Sequence, residues 1–340
     1  MAKAAGASVS TISAALNGTD YVSADMRARI NKAIERLQYR PNDLARSLRL
    51  QRTHTLAVVV PDLSNSFYTE MVRGMKDYAN AVNYTLLIGD SREHWSEERS
   101  YLDLFHRRRV DGVIRIPSMD DTGGEAGPLL GDIPVVYADR FPHADDACVA
   151  SVGVDNIRAA YDATRYLISL GHRRIAIISG PLTARSSADR VEGYRRALRA
   201  MRLPLRRDYI RISESEAAGS TRETIELLTN DDRPTAIFCA NNTATLGALD
   251  AIQQLGMQCP DEISLMGFDD FQWSTLLRPR ITMVRQPARE IGMTAARVLI
   301  DHIEDRGHVS GDQLLPTQLM LRDSCAPPAH EPAPRRGTRA

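Results

Sequence analysis

The chain has 340 residues, with 43 Lys and Arg against 43 Asp and Glu, 43% hydrophobic residues and 6% aromatic residues. This is the composition of a globular protein long enough for two or three domains, and it excludes a disordered or collagen-like chain. No run approaches the roughly 18 apolar residues of a membrane-spanning helix, and charged residues interrupt the N-terminal stretch that a secretion signal needs, so we expect a cytoplasmic protein with no membrane partner.

The N-terminal segment, residues 1–52, carries two amphipathic helical patterns. The first runs over residues 9–17, between a cap-like Ser8 and Gly18. The second begins after Ser23 and ends before Pro41, because the residue preceding a proline is pushed out of the helical conformation. Its apolar stripe is formed by Met26, Ile30, Ala33, Ile34 and Leu37. Residues 42–50 have the pattern of one more short helix, capped by Asn42.

The same segment is strongly basic. It contains nine Lys and Arg and four Asp and Glu, a net charge of +5, so the rest of the chain carries −5. Clustered cations release counterions from phosphates, which suits a protein that binds a polyanion such as DNA at one end only. A basic surface that is merely solvated is the alternative that charge alone leaves open.

From residue 56 the pattern changes to strands that alternate with helices. Apolar runs predict strands at 56–60, 84–88, 112–116, 134–137, 174–179, 235–239, 263–267 and 281–285. This alternation predicts α/β architecture with parallel sheets covered by helices on both faces. The span from 56 to 325 is large for one core and indicates two α/β lobes, whereas the Pro- and Arg-rich end after it has no apolar pattern.

Polar residues follow the predicted strands, at the edge where open parallel sheets bind their ligands. These residues are Asp62, Asn65, Asp90, Asp139, Arg140, Asn241, Asn242, Asp269 and Asp270. Any one of them is equally well explained as a loop cap or a turn former, but as a set from both lobes they predict a ligand-binding cleft. Phe67, Tyr68 and Trp273 lie near the same strand ends, and either contact the ligand or pack in the core.

Enzyme signatures are poor. The sequence has no G-x-x-x-x-G-K-[ST] phosphate loop, no G-x-G-x-x-G after a strand, no H-E-x-x-H and no G-x-S-x-G. Asp269 and Asp270 are a candidate metal site or general base, which we do not favour because no further carboxylate or histidine cluster accompanies them. The four scattered cysteines favour reduced, structural thiols. We therefore predict binding without catalysis, with no catalytic residue, metal or cofactor.

Several strings together carry a resemblance to a known family. They are M-A-K-A-A-G-A-S-V-S-T-I-S-A-A-L-N-G at the start, Y-V-S-A-D-M-R-A-R-I and L-Q-Y-R-P-N-D-L-A-R-S-L after it, and R-R-R-V-D-G-V-I, G-H-R-R-I-A-I-I-S-G-P, P-T-A-I-F-C-A-N-N, I-S-L-M-G-F-D-D and I-T-M-V-R-Q-P in the remainder. In this order, and over residues 1–324, they closely resemble the lactose-repressor/purine-repressor family of bacterial transcription regulators.

The resemblance implies four parts. Residues 1–40 would form a helix-turn-helix DNA-binding headpiece with a truncated first helix, and residues 41–55 a hinge helix and linker. Residues 56–325 would form an effector-binding and dimerisation core like that of periplasmic sugar-binding proteins, with lobe one at 56–156 plus 286–312 and lobe two at 157–285 plus 313–325. Residues 326–340 would be a disordered tail. Family headpieces extend further at the N-terminus, with valine where Met1 stands, so we expect the native start to lie upstream.

In the headpiece, the resemblance places Val9, Ser10 and Ala14 on the face of the recognition helix that meets base edges. Ala14 departs from the family, which often has a long polar side chain there, so direct readout should be weaker or differently placed. Leu48 matches the hinge leucine that enters the minor groove as an apolar wedge and bends the duplex. The other implied DNA contacts are Ser8, Thr11, Ser13, Asn17, Asn42 and Ala45. For Ser8, simple helix capping is the alternative.

In the core, the resemblance maps effector contacts onto Asn65, Phe67, Tyr68, Asp139, Arg140, Ser186, Arg190, Asn241, Asp269 and Trp273. Arg190 opposite Asp269 across the cleft would clamp a polyhydroxylated ligand, since a guanidinium donates in a planar fork and a carboxylate accepts from vicinal hydroxyls. This indicates a sugar or a sugar acid, with a purine as the alternative. Asn242 departs from the aspartate that is usual in the family.

These features predict a homodimeric, ligand-responsive repressor of genes for carbohydrate uptake or catabolism, which binds pseudo-palindromic double-stranded operator DNA. The sign of the ligand response stays open. The first alternative is a solute-binding receptor of the periplasmic-binding-protein type without DNA-binding activity, against which the basic headpiece argues. The second is a sugar- or nucleotide-processing enzyme, which the missing catalytic motifs disfavour.

Overall fold

The computed structural model describes residues 2–17, 22–37, 52–121, 123–141, 148–213, 217–307 and 311–328. The chain forms two compact units, Met1–Thr53 and His54–Ala340. The helix predicted at 42–50, and with it Asn42, Ala45 and Leu48, lies outside the described residues. None of the described helices is long and apolar enough to cross a membrane.

The first unit contains the helices α1 (Ala2–Ala5), α2 (Val9–Asn17) and α3 (Ala24–Leu37). The two helices predicted from apolar stripes are thereby confirmed. Side chains from all three helices form a small core, in which Ala5, Ile12, Ile30 and Ala33 are buried. The Arg29 guanidinium ties α1 to α3, because it donates a hydrogen bond to the carbonyl oxygen of Ala5 at 2.9 Å.

The second unit is built on two sheets. The strands of the first are β1 (Thr55–Val60), β2 (Thr85–Asp90), β3 (Gly112–Arg115), β4 (Val135–Ala138), β5 (Ala150–Val154) and β11 (Gly311–Leu315). In space they follow the order β11, β5, β4, β3, β1, β2, and every neighbouring pair is parallel. The central strands are buried along almost their whole length, as expected for a parallel sheet covered on both faces.

The strands of the second sheet are β6 (Ile175–Ser179), β7 (Ile210–Ile212), β8 (Ala236–Cys239), β9 (Ser264–Phe268), β10 (Thr282–Arg285) and β12 (Gln318–Met320). Their spatial order is β12, β10, β9, β8, β6, β7. All neighbours are parallel except β12, which runs antiparallel to β10.

Helices cover both sheets. They are α4 (Ser66–Ala81), α5 (Trp95–Arg108), α6 (Ala126–Leu130), α7 (Asn156–Ser169), α8 (Arg185–Ala200), α9 (Ala217–Leu228), α10 (Asn242–Gln254) and α11 (Ala288–Ile303). Three pairs pack closely: α4 with α11, α7 with α8, and α9 with α10. Between α4 and α11 the backbones touch at Gly292, where a Cβ atom would come within 1.9 Å of the Met71 carbonyl oxygen.

The chain passes between the two sheets three times, after β5, after β10 and after β11, so that each sheet with its helices forms one lobe. The third passage lies at residues 316–317. Residues 313–315, which the sequence analysis assigned to lobe two, pair in parallel with β5 and belong to lobe one. The sequence gives little sign of this, because β11 is a half-exposed edge strand without an apolar run.

All eight predicted strands are confirmed, each within two residues of its expected bounds. The prediction of a disordered tail from residue 326 is wrong at its first residue. The Ala326 N–H donates to Ser264 Oγ at 3.1 Å, and its carbonyl oxygen accepts from His172 Nε2 at 2.9 Å. These bonds hold Ala326 against the second sheet. Residues 329–340 lie outside the described part of the chain.

Candidate functional site

A cleft lies between the two lobes at the carboxyl ends of their strands, and it encloses about 80 Å³. Lobe one contributes Asp62, Asn65, Phe67, Tyr68, Glu93, Met119, Asp139 and Arg140. Lobe two contributes Ser186, Ser187, Arg190, Asn241, Asn242, Thr243 and Asp269. Nine of the ten residues expected to contact an effector therefore line one cavity, and Trp273 is the exception.

Two helix N-termini meet at this cleft. Asn65 Oδ1 caps α4 by accepting from the Phe67 N–H at 3.0 Å, and Asn241 Oδ1 caps α10 by accepting from the Ala244 N–H at 2.7 Å. Between the lobes, Asn242 Nδ2 donates to Asn65 Oδ1 at 2.7 Å. Asn242, which departs from the aspartate usual in the resembled family, therefore makes an uncharged amide contact across the cleft.

On the lobe-one wall, Arg140 is fully paired. Its Nη atoms donate to both carboxylate oxygens of Glu93 at 2.7 and 2.8 Å, to the Pro117 carbonyl oxygen at 2.6 Å and to the Tyr68 hydroxyl at 3.0 Å. Burial raises the pKa of Tyr68 well above its usual value, so that the hydroxyl stays protonated. Glu93 has a left-handed backbone, with φ of 61°, in the loop after β2. The charge of Arg140 is thus neutralised within the wall.

Arg190 and Asp269 lie on the same wall, and the expectation that they face each other across the cleft is wrong. Both α8 and β9 belong to lobe two, and Arg190 Nη1 is 3.9 Å from Asp269 Oδ2. Arg190 Nε donates to Asn156 Oδ1 at 2.8 Å and Nη1 to the Ala240 carbonyl oxygen at 2.7 Å, while the guanidinium carbon is 3.8 Å from the centroid of the Phe268 ring. Within the described residues Nη2 makes no hydrogen bond, so it is free to donate to a ligand.

Asp139 and Asp269 are buried carboxylates of the cleft, and within the described part of the chain one oxygen of Asp139 lacks a donor. Asp139 is 5% exposed, and its Oδ1 has no hydrogen-bond partner among the described residues. Burial raises the pKa of Asp139 to about 6, although Arg190 and Arg140 oppose the rise. Burial also raises the pKa of Asp269, against the lowering effect of Arg190 and of a hydrogen bond from Gln286 Nε2 at 2.6 Å. A ligand that brings a hydroxyl donor would satisfy Asp139 Oδ1.

Asp270, next to Asp269, has a structural role. Its carboxylate accepts hydrogen bonds from Arg285, Arg322 and Ser274, which join the end of β10 to the segment after β12. Burial alone would raise the pKa of Asp270, but these hydrogen bonds outweigh burial and lower it. In the described ranges, no group of three or more His, Cys, Asp or Glu side chains could hold a metal ion.

Trp273 lies outside the cleft. It belongs to the short 3₁₀ turn Gln272–Thr275, where its ring stacks on Phe271 with the centroids 3.7 Å apart. It lines a second cavity of about 170 Å³, which adjoins the cleft at Phe67 and Asp269. Trp273 therefore does not line the cleft, and it shares a cavity only with Phe67 and Asp269 among the other nine expected contacts.

Four lining residues escaped the sequence analysis: Glu93, Met119, Ser187 and Thr243. Glu93 lies in the loop after β2 and Met119 in the loop after β3. The search for polar residues that follow predicted strands therefore leads to the correct loops, although it did not select these two residues. After β2 that search selected Asp90 instead, whose Oδ1 accepts from the Arg92 N–H at 3.2 Å and so stabilises the turn that carries Glu93.

In the first unit, Ser8 Oγ accepts from the Thr11 N–H at 3.0 Å and caps α2. Ser10 is exposed and Thr11 is partly exposed, as a DNA contact requires. Ala14 is only 9% exposed, so its methyl group packs inside the unit and offers almost no surface to a base. The side chains of Val9, Ser13 and Asn17 lie outside the described part of the chain.

A basic surface covers one side of α3. Arg29, Lys32 and Arg36, at offsets of three and seven along the helix, are all exposed. They line a shallow depression with Ala4 of α1. A row of exposed cations of this kind is suited to contact a phosphate backbone.

Comparison with known proteins identifies both units. Residues 53–323 match the periplasmic binding proteins and sugar binding domain of the LacI family, and residues 1–42 match the bacterial regulatory proteins of the lacI family. The chain is 31% identical over 328 residues to the HTH-type transcriptional repressor PurR of Vibrio vulnificus (strain CMCP6), a match that covers 95% of this chain and 97% of the relative. It is 34% identical over 326 residues to catabolite control protein A of Priestia megaterium, again over 95% and 97%.

Among solved structures, the lac repressor dimer bound to operator and the anti-inducer ONPF has the same fold. The TM-score is 0.84 over 96% of this chain and 97% of the other, at 24% sequence identity.

Proposed function

The chain belongs to the LacI family of bacterial regulatory proteins, and we propose that it is a ligand-responsive, sequence-specific repressor of genes for carbohydrate uptake or catabolism. Its relatives are transcriptional repressors and not enzymes. The observation that carries the proposal is the cleft, in which polar groups from both lobes converge on one cavity. A ligand in that position contacts both lobes at once and so favours one arrangement of the two over another.

The effector class that fits this cleft best is a neutral, polyhydroxylated compound such as a sugar. Four carboxylates line the cavity against two guanidiniums, and Arg140 is already paired with Glu93. A sugar acid would place one more negative charge beside the buried carboxylates of Asp139 and Asp269, which is costly in a partly desolvated site. Hydroxyl groups donate to those carboxylates and accept from Arg190 Nη2. The sequence analysis expected a sugar or a sugar acid, and the charges in the cleft favour the neutral sugar.

On the DNA side, we propose that α2 is the recognition helix. Ser10 provides an exposed hydroxyl and Thr11 a partly exposed one, and Arg29, Lys32 and Arg36 of α3 contact phosphates. Ala14 contributes to packing, so readout of the bases falls to its neighbours on α2. The remaining expected contacts keep their proposed roles: Ser8, Val9, Ser13, Asn17, Asn42, Ala45, and Leu48 as the minor-groove wedge. Such a protein acts on DNA, and we place it in the cytoplasm.

A homodimer follows from the same proposal, because two headpieces on a two-fold axis read the half-sites of a pseudo-palindromic operator. The solved lac repressor is a dimer bound to operator. In this chain β2 is the edge strand of the first sheet and exposes Leu87 and Ile88, which are 37% and 44% exposed. An apolar edge strand invites pairing with another copy, and we assign it to the dimer contact.

Effector binding and DNA binding are then coupled through the lobes. Closure of the cleft on a sugar moves lobe one relative to lobe two, which changes the geometry of the dimer and the operator affinity with it. A solute receptor without DNA-binding activity is not favoured, because residues 1–42 match the regulatory family.

The test is selection of operator sites from randomised DNA duplexes by the purified chain, with the dimer checked by analytical ultracentrifugation. We expect enrichment of a pseudo-palindrome with a flexible central step, and binding that weakens steeply with salt. A panel of neutral sugars and their uronic acids is then added, and we expect a neutral sugar, but not its uronic acid, to shift the affinity for the enriched site. A folded dimer that enriches no sequence, with or without any sugar, would contradict the proposal.

A further inference from the structure

The second cavity, called here the side chamber, adjoins the cleft and encloses about 170 Å³. Phe67 and Asp269 line both cavities and form the boundary between them. The side chamber is lined further by Phe271, Trp273 and Gln286. Because a cavity of about 150 Å³ accommodates a benzene ring, the side chamber has room for one ring, whereas the cleft, at about 80 Å³, must widen to hold another.

One side of the chamber is aromatic. Phe271 is 5% exposed, and the half-buried Trp273 stacks on it with a centroid separation of 3.7 Å and an interplanar angle of 27°. Two stacked rings form a rigid, flat apolar surface. Ligand pockets combine such surfaces with a few placed polar groups, and the apolar face of a sugar ring is complementary to it.

The placed polar group is Gln286. Its side chain is 6% exposed, its Nε2 donates to Asp269 Oδ1 at 2.6 Å, and its Oε1 has no hydrogen-bond partner among the described residues. A buried acceptor without a donor costs free energy. A hydroxyl group would satisfy it, whereas a plain hydrocarbon or aryl ring would leave it unpaired. Because Gln286 is also hydrogen-bonded to Asp269, a ligand that binds Gln286 in the side chamber is coupled to a residue that lines the cleft.

We propose that the side chamber is a second ring-binding subsite, and that the effector is a neutral disaccharide with one ring in the cleft and one in the side chamber. The bond between the rings passes Phe67 and Asp269. A carboxylate on the second ring is disfavoured, because three carboxylates, those of Glu70, Asp269 and Asp270, line the side chamber and no cationic side chain of the described residues does. This inference rests on the proposed function, since it specifies the ligand of a sugar-responsive regulator.

Tryptophan emission tests the subsite directly, because the chain has two tryptophans and Trp95→Phe leaves Trp273 as the reporter. The probes are maltose, cellobiose, lactose, trehalose and sucrose, each beside its constituent monosaccharides. We expect at least one disaccharide to bind about tenfold more tightly than its monosaccharides, a difference of about 1.4 kcal/mol, and to change the Trp273 emission. The monosaccharides should leave the emission unchanged.

A variant that fills the side chamber supplies the second measurement. Ala288 lines the chamber, so Ala288→Leu should abolish the preference for the disaccharide and leave monosaccharide affinity within about twofold. Leu276→Ala is the matched control, because Leu276 lies just after the same turn and is 76% exposed; it should preserve the preference.

The outcomes separate the two proposals. Monosaccharides that bind as tightly as every disaccharide, or a preference that survives Ala288→Leu, would overturn the subsite and leave the sugar-responsive regulator standing. A folded protein that binds none of these sugars by calorimetry would overturn the sugar effector itself, and the subsite with it.

Discussion

Substitution of Asp139 by asparagine should stabilise the free protein and weaken effector binding at the same time. Asp139 is 5% exposed, and its Oδ1 has no partner among the described residues. The native state therefore carries a buried carboxylate that awaits a ligand. The backbone φ of 61° at this position is tolerated by asparagine as readily as by aspartate, so the substitution changes the charge without adding strain.

The magnitude follows from the pKa. Burial raises the pKa of Asp139 from 3.8 to about 6, and one pKa unit corresponds to about 1.4 kcal/mol. Between these two values the native state binds a proton that the unfolded state has lost, so the free energy of unfolding falls as pH rises through that window and is level above it. At pH 7.5 the free energy of unfolding has fallen by the full amount, about 3 kcal/mol, and at pH 5 it has fallen by about half of that.

Denaturation of the full chain without sugar, at pH 5.0 and pH 7.5, measures the effect. Asp139→Asn should raise the free energy of unfolding by about 3 kcal/mol at pH 7.5 and by about half as much at pH 5.0. Asp103→Asn, at an exposed position on α5, is the control and should change it by less than about 0.5 kcal/mol. Sugar affinity should fall at least about tenfold in Asp139→Asn, because the ligand hydroxyl loses a charged acceptor.

The reasoning is refuted if Asp139→Asn destabilises the protein, or stabilises it equally at both pH values. Equal stabilisation at both pH values would mean that the ionised carboxylate of Asp139 is not what destabilises the native state. If the variant is stabilised but keeps full sugar affinity, Asp139 does not contact the sugar, although its burial still destabilises the native state.

Three further predictions concern the cleft wall, the helix packing and the hinge. Glu93→Gln frees Arg140, so calorimetry should show that the affinity for uronic acids rises about tenfold relative to that for the parent sugars, a change of about 1.4 kcal/mol. Glu97→Gln, at a partly exposed position nearby, should leave this ratio of affinities unchanged, and an unchanged ratio in both variants would contradict the charge argument. Gly292→Ala forces a Cβ against the Met71 carbonyl and should lower the free energy of unfolding by at least about 2 kcal/mol, whereas Gly127→Ala, with no atom within 4 Å of its Cβ position, should be nearly neutral. Leu48→Ala should weaken operator binding in mobility-shift titrations and leave sugar affinity unchanged; equal loss of both speaks against a wedge in the DNA.

Strands with continuous apolar runs were predictable, and those without were not. β1 and β6 are Leu-, Ile-, Val- and Ala-rich and lie inside their sheets. β5 is also internal, but it contains Ser151 and Gly153, and the glycine leaves room for the Phe141 ring, which would lie 3.0 Å from a Cβ at that position. β7, β11 and β12 are edge strands that need no apolar face on the solvent side.

The candidate site was predictable in composition and not in arrangement. Strand-end position selected Asp139 and Asp269 because the topology forces such residues to one edge of a sheet. It does not reveal that Arg190 and Asp269 lie on the same wall of the cleft. Nor does it reveal that Glu93 forms an ion pair with Arg140, or that Trp273 lies outside the cleft and stacks on Phe271. These features depend on side-chain packing between segments that are distant in sequence, which no local pattern encodes.

The central claim is that sugar in the cleft and operator on the headpiece are coupled, and reciprocal linkage tests it most directly. Operator affinity is measured with and without saturating sugar, and sugar affinity with and without saturating operator. We predict that the two affinities change by the same factor, between about 5- and 150-fold. A factor of one in both titrations, with both ligands bound, would contradict the account.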